Sequence, residues 1–229
     1  MMNVDGGKVM KMNKIMLIIC AYAVLLSSFF RIPYLSTTWF KIVVLLYGFI
    51  VSKYYPYWWE KKIQMYKTDI IVEGIQVYRL PYNLMKSHNA MIFKGKKNNI
   101  IVEDELMEHL SQEQLKAVLY HEVGHTHTVG GETIYGINLF ALYFASQGMY
   151  QCIHENSGML YTLIGLGLLL LAGILKRYIE YKADEYVVQC GYDREMLISA
   201  IEYMEQMNGK HKIIISDHPS TKKRYRKLK

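Results

Sequence analysis

A chain of 229 residues that is 52% hydrophobic holds more apolar sequence in long runs than a soluble core of its size can bury. Its net charge of +7 gathers between those runs and at the C-terminus, and no nucleic-acid recognition module accompanies it. Cys20 in an apolar run, Cys152 near the end of another and Cys190 at a helix end imply no disulfide framework, none has metal-ligand spacing, and all three read as structural.

Ile15 to Phe30 carries no charge between Lys14 and Arg31, and Leu35 to Ser52 is interrupted only by Lys41, whose stem can snorkel. Lys8, Lys11 and Lys14 would also suit a signal peptide, but Phe29, Phe30 and Arg31 stand where a small-residue cleavage site would lie. The expectation is an uncleaved anchor over residues 1–59 with two transmembrane helices. Trp58 and Trp59, with Tyr54, Tyr55 and Tyr57, resemble an interfacial aromatic belt at its end.

Residues 60–229 form the remaining domain. Its β-type runs, Ile70 to Val72, Ile75 to Tyr78, Ala90 to Phe93 and Ile100 to Val102, are separated by Gly74, Pro81, Asn83 and Gly95 and predict a small sheet. Ala90 to Phe93 is the expected edge strand, suited either to pairing with an extended peptide or to a plain scaffold role.

Ser111 with Gln114 predicts a capping box, and Leu115, Val118, Leu119 and Val123 continue a helix with one apolar stripe. At its end, His121-Glu122-Val123-Gly124-His125 sets two imidazoles at i and i+4, on one face and within reach of one ion. Glu122 points about 100° further round, to the side where a metal-bound water would sit. The pattern predicts a catalytic zinc site with an open position, and Glu122 as its base. Gly124 lets backbone or substrate come close.

The runs at 133–151 and 156–175 contain no Lys, Arg, Asp or Glu and predict a transmembrane hairpin interrupting the domain at about 133–175. With the two earlier runs the expected count is four. In the helix that follows, Glu180 and Asp184 share a face beside small Ala183. Alone they would suit a solvated face with Lys176, Arg177 and Lys182. Next to the histidine motif they supply a metal-binding carboxylate and a second carboxylate that orients a ligand histidine. Gly191 stops this helix. Asp193 caps another, with Leu197, Ala200, Ile201 and Met204 on one face and Gly209 as its stop.

The run from Lys222 to Lys229 suits anionic headgroups, at about 1 kcal/mol per basic residue, or a solvated helix end. The lysines and arginines flanking the apolar runs place both termini and the zinc site in the cytoplasm by the positive-inside rule.

Four segments in order carry a family likeness. They are Asn89-Ala90 before a short strand, His121 to His125, Glu180 with Ala183-Asp184, and Asp217-His218-Pro219-Ser220 with Arg224. Over roughly residues 70–228 the chain resembles the HtpX-like and CAAX-prenyl-endopeptidase-like membrane zinc metallopeptidases. The resemblance implies one Zn2+ per chain held by His121, His125 and Glu180, with Asp184 supporting one of the histidines. It also implies that His218 and Arg224 help hold the site or the oxyanion, and that Asn89 and Ala90 meet substrate. No Leu-Asp-Gly occurs, which sets the chain apart from site-2-type intramembrane proteases.

The expected fold is a mainly α membrane protein (α+β), with about four transmembrane helices and a small cytoplasmic zincin-like domain containing a short β-sheet. The expected activity is zinc-dependent endopeptidase cleavage of membrane-associated proteins or peptides, in quality control or precursor processing, by a multi-pass protein of the cell membrane. The alternative is a non-enzymatic membrane interaction or regulatory protein on a protease-like fold. Expected partners are the substrate and the lipid bilayer, with no nucleic acid.

Overall fold

The structure is a computed structural model that describes residues 60–94, 97–128, 131–155, 157–208 and 219–227, with helical positions at 42–43, 46–47 and 50. The first predicted span, most of the second, the aromatic belt, and Asp217 and His218 lie outside the described residues. The chain divides into two compact units, one of residues 1–9, 56–130 and 176–229, the other of residues 10–55 and 131–175.

In the first unit, Lys67–Val72 (β1) and Ile75–Leu80 (β2) form a hairpin whose turn residues Glu73 and Gly74 have φ of 49° and 77°. A two-residue turn matches the strand twist when both central residues are left-handed, and glycine meets that demand without steric cost. After Tyr82–Met85 (α1) come Ala90–Lys94 (β3) and Asn98–Glu103 (β4), which complete a sheet of order β1-β2-β4-β3. β4 runs parallel to β2 and antiparallel to β3, with Ala90 opposite Val102 and Ile92 opposite Ile100. Its Ile100-Ile101-Val102 run is buried throughout, as an interior strand requires, and β3 is left at the edge.

The helices of this unit cover the sheet. Glu103 caps Asp104–His109 (α2), and the expected capping box of Ser111 and Gln114 opens Gln112–Gly124 (α3). Val118, Leu119 and Val123 of α3 join Val77, Ile100, Val102 and Leu106 in one core, at about 1.5–3 kcal/mol for each large apolar side chain buried. Arg194–Met207 (α6), capped by Asp193, packs Leu197 and Ile201 against Ala117. Thr221–Lys227 (α7) is joined to α6 by the Thr221 hydroxyl donating to Glu205 at 2.6 Å.

Gly131–His154 (α4) and Met159–Gln189 (α5) contain the two charge-free runs. A Cβ on Gly148 would lie 2.3 Å from Thr162 Oγ1, and one on Gly165 would lie 2.6 Å from the Ala145 nitrogen. Within the second unit, the two helices therefore meet through small residues that let backbones touch. α5 is long and apolar enough to cross a membrane, and it is the one such helix among the described residues. Its 31 residues extend about 46 Å at about 1.5 Å each. Leu160, Leu163, Leu166, Leu170 and Ile174 are exposed on it. α4 is a helix as expected but falls short of that apolarity, its run broken by Asn138, Gln147 and Gln151.

The last part of α5 belongs to the first unit and meets α3 there. A Cβ on Gly124 would lie 2.8 Å from Ala183 Cα and 3.1 Å from Tyr186 Cβ, so this contact is backbone against backbone. Gly124→Ala is expected to destabilise the fold by about 1–3 kcal/mol through overpacking, net of a gain of up to about 1 kcal/mol in helix propensity. Chemical denaturation of the two proteins measures this; unchanged stability would mean that the helices can separate freely.

Candidate metal centre

The close approach of α3 and α5 sets the histidine motif opposite two carboxylates. His121 Nε2 lies 3.7 Å from Glu180 Oε2, and His125 Nε2 lies 3.8 Å from Glu180 Oε1. One atom from each of His121, His125 and Glu180 falls within 4.8 Å of the others. These separations exceed hydrogen-bond length. They suit three donors around one ion, since bonds of about 2.0–2.1 Å in a tetrahedron hold neighbouring donor atoms about 3.3 Å apart. Two imidazoles and a carboxylate are also the donor set of open, catalytic zinc sites.

A second layer fixes the first. His121 Nδ1 lies 3.0 Å from Asp184 Oδ1, which leaves Nε2 as the nitrogen turned to Glu180. Arg224, from α7, grips both oxygens of Asp184: Nε donates to Oδ2 at 2.8 Å and Nη2 donates to Oδ1. Its Nη1 lies 3.9 Å from Glu180 Oε2. Asp184 is wholly buried, and Glu180, Arg224, His121 and Glu122 nearly so.

The remaining member of the motif faces the sheet. Glu122 Oε2 accepts from the Ile92 N–H of β3 at 2.7 Å, which ties this carboxylate to the edge strand of the sheet.

Against this geometry, the family model for peptidase family M48 matches residues 61–229. The chain belongs to peptidase family M48. Members of this family are zinc-dependent metallopeptidases in general. The fold is also that of a solved structure, the crystal structure of S. mikatae Ste24p, with a TM-score of 0.52 at 16% identity. The similarity covers 97% of this chain and 66% of that one, so this M48 chain spans about two thirds of the Ste24p length. A comparison with curated proteins gives no match.

For an M48 peptidase, the site residues expected from sequence divide cleanly. His121, Glu122, His125, Glu180, Asp184 and Arg224 come together, and His218 lies outside the described residues. Asn89 and Ala90 sit where β3 begins, with Asn89 Oδ1 accepting from the Ala90 N–H at 3.0 Å. The link from Ile92 to Glu122 has no sequence signal, because any residue supplies the same N–H.

A second cluster, His88, Glu103 and Glu105, also has ligand atoms close together. Its Glu103 is already engaged, accepting from Glu105 N, Leu106 N and the side of His88 Nδ1 at 3.0–3.1 Å, and reads as a helix cap.

Burial works against the charge of Arg224, but its bonds to Asp184 and the nearby charges of Asp184, Glu180 and Glu122 outweigh that and hold its pKa above the ordinary arginine value. Removing it strands a buried carboxylate. Arg224→Leu is expected to cost about 3–5 kcal/mol in denaturation experiments, and Arg224→Leu combined with Asp184→Asn clearly less. Equal losses in the single and double variants would show that the pair is not coupled.

Proposed function

We propose that this chain is a membrane-embedded zinc endopeptidase that hydrolyses peptide bonds of membrane-associated proteins or peptides. The observation that carries the reading is the convergence of His121, His125 and Glu180 on one point, with Glu122 beside them on the sheet side. His121 Nε2, His125 Nε2 and a Glu180 oxygen would hold one Zn2+. Zinc in such a site supplies Lewis acidity, which lowers the pKa of water and polarises a carbonyl.

The chain's own residues do the rest. Glu122 takes the proton of the attacking water and delivers it to the leaving amine. Asp184 accepts from His121 Nδ1–H, which fixes the tautomer and keeps Nε2 turned inward. Arg224 holds Asp184 in place; of the two roles open to it, supporting the site fits its contacts better than binding the oxyanion. His218 is assigned to the same C-terminal motif. β3, with Asn89 and Ala90 at its start, receives an extended substrate along its free edge.

Membrane placement rests on α5, whose apolar run is exposed as a lipid-facing helix would be. We assign four spans, an anchor over residues 1–59 and a hairpin at about 133–175 within the peptidase domain of residues 60–229. Lys53, Lys61, Lys62, Lys176 and Arg177 flank the runs on the side that would face the cytoplasm of a multi-pass cell-membrane protein.

Glu122→Gln should keep one zinc per chain and the wild-type stability while lowering peptide hydrolysis by about 10²–10⁴-fold. Metal analysis paired with casein cleavage in detergent checks both arms. Wild-type protein that binds zinc yet cleaves nothing would favour the interaction-protein alternative, and full activity of Glu122→Gln would remove the base from its role.

A further inference from the structure

The strand that borders Glu122 is held at its entry by a residue far away in the chain. Asn208, which ends α6, pairs its side-chain amide with both backbone groups of His88: Oδ1 accepts from the His88 N–H at 2.9 Å, and Nδ2 donates to the His88 carbonyl at 2.7 Å. The same Nδ2 donates to the Met204 carbonyl at 2.8 Å, so the amide is also fixed to its own helix. This is a one-residue imitation of β-pairing, and it needs a donor and an acceptor side by side. Aspartate keeps the acceptor alone and leucine keeps neither.

The segment that Asn208 grips leads straight into β3. The His88 ring stacks on Tyr82 with centroids 4.6 Å apart, and its Nδ1 lies 3.0 Å from the buried Glu103 carboxylate. The Glu103 N–H donates to the Asn89 carbonyl at 3.0 Å. Two residues past Asn89-Ala90, the Ile92 N–H meets Glu122. A strand of this length covers about 13 Å from His88 to Ile92, with little room to absorb a shift at its start. Among the described residues β3 has β4 as its one strand neighbour, so anchoring of its entry bears directly on where its outer edge lies.

We infer that Asn208 is a positioning residue of the peptidase: by holding the backbone of His88 it sets β3 against Glu122, and so sets how an extended peptide is received at the site. The inference rests on the endopeptidase reading and deepens it. The last turn of α6 divides the work. Glu205 accepts from Thr221 and so supports α7, which carries Arg224 to Asp184 and the metal-binding side. Asn208 supports the strand. A change at Asn208 therefore separates reception of the peptide from retention of the metal.

The test compares Asn208→Leu and the milder Asn208→Asp with wild type, in the full chain loaded with zinc, on two substrates sharing one scissile bond. One is a peptide long enough to lie along β3, the other a blocked dipeptide that does not reach it. We expect kcat/KM on the long peptide to fall roughly tenfold or more, mainly through KM, as two backbone hydrogen bonds are lost. The short substrate should change less than about twofold and zinc content should hold. Hydrogen exchange over residues 86–94 should quicken while that of β4 holds.

Equal losses on both substrates, or an unchanged long-peptide KM with exchange over 86–94 unaltered, would overturn the proposal. If Asn208→Leu does not fold, Asn208→Asp and its exchange pattern decide by the same criteria. A wild-type chain that cleaves neither substrate would instead sink the endopeptidase reading, and this inference with it.

Discussion

The backbone contact between Gly124 and Ala183 governs the geometry of the whole site. It brings α3 and α5 so near that no side chain fits between them, with 2.8 Å left for a Cβ. Metal-ligand bonds tolerate errors of about 0.2 Å, whereas an added methyl group at a tight contact shifts backbones by more than that or strains them. The candidate ligands follow from this contact in a simple way. His121 on α3 and His125 just past its end flank Gly124, and Glu180 and Asp184 flank Ala183 on α5, so fixing one pair of small residues fixes four candidate site residues.

Burial then sets an electrostatic problem. Glu122, Glu180 and Asp184 are ionisable groups almost out of water, and Arg224 is the one buried cation near them among the described residues. With neutral imidazoles, three carboxylates and one guanidinium leave two negative charges, which a divalent ion would balance. Uncompensated charges in such a place cost several kcal/mol each. The same residues that would bind the ion thus make its binding part of the stability of the unit. α7 is drawn in for the same reason: Thr221 and Arg224, three apart on one helical face, turn inward while Lys222, Lys223 and Arg226 stay exposed.

Much of this was readable from residue types. The capping box, the paired histidines, and Glu180 and Asp184 on one face beside Ala183 are patterns tied to side-chain chemistry at helical spacing, and the structure brings them together. The small sheet was legible too, from β-branched runs between Gly and Pro. What was hidden depends on backbone groups or on long separation. The Ile92 N–H, the Asn208 amide on His88 and the Glu103 cap have no motif, since nearly every position carries the same main-chain donor and acceptor. Arg224 stood in a run of like charges from which the family likeness singled it out, and its helical phase gives the physical reason.

The outer edge of β3 is where the demands of the fold and of the site meet. An exposed sheet edge is normally a hazard, because its unpaired N–H groups invite another strand. Ala90 and Ile92 lie two apart on β3 and point their N–H groups the same way. Both are engaged: Ala90 by the Asn89 side chain and Ile92 by Glu122. The edge is therefore protected by Asn89, which the family likeness assigns to substrate, and by Glu122, the expected base. A peptide that pairs with β3 must take over these donors, and in doing so it would release the Glu122 carboxylate from the strand. Protection of the fold and admission of a substrate would then be two states of the same hydrogen bonds.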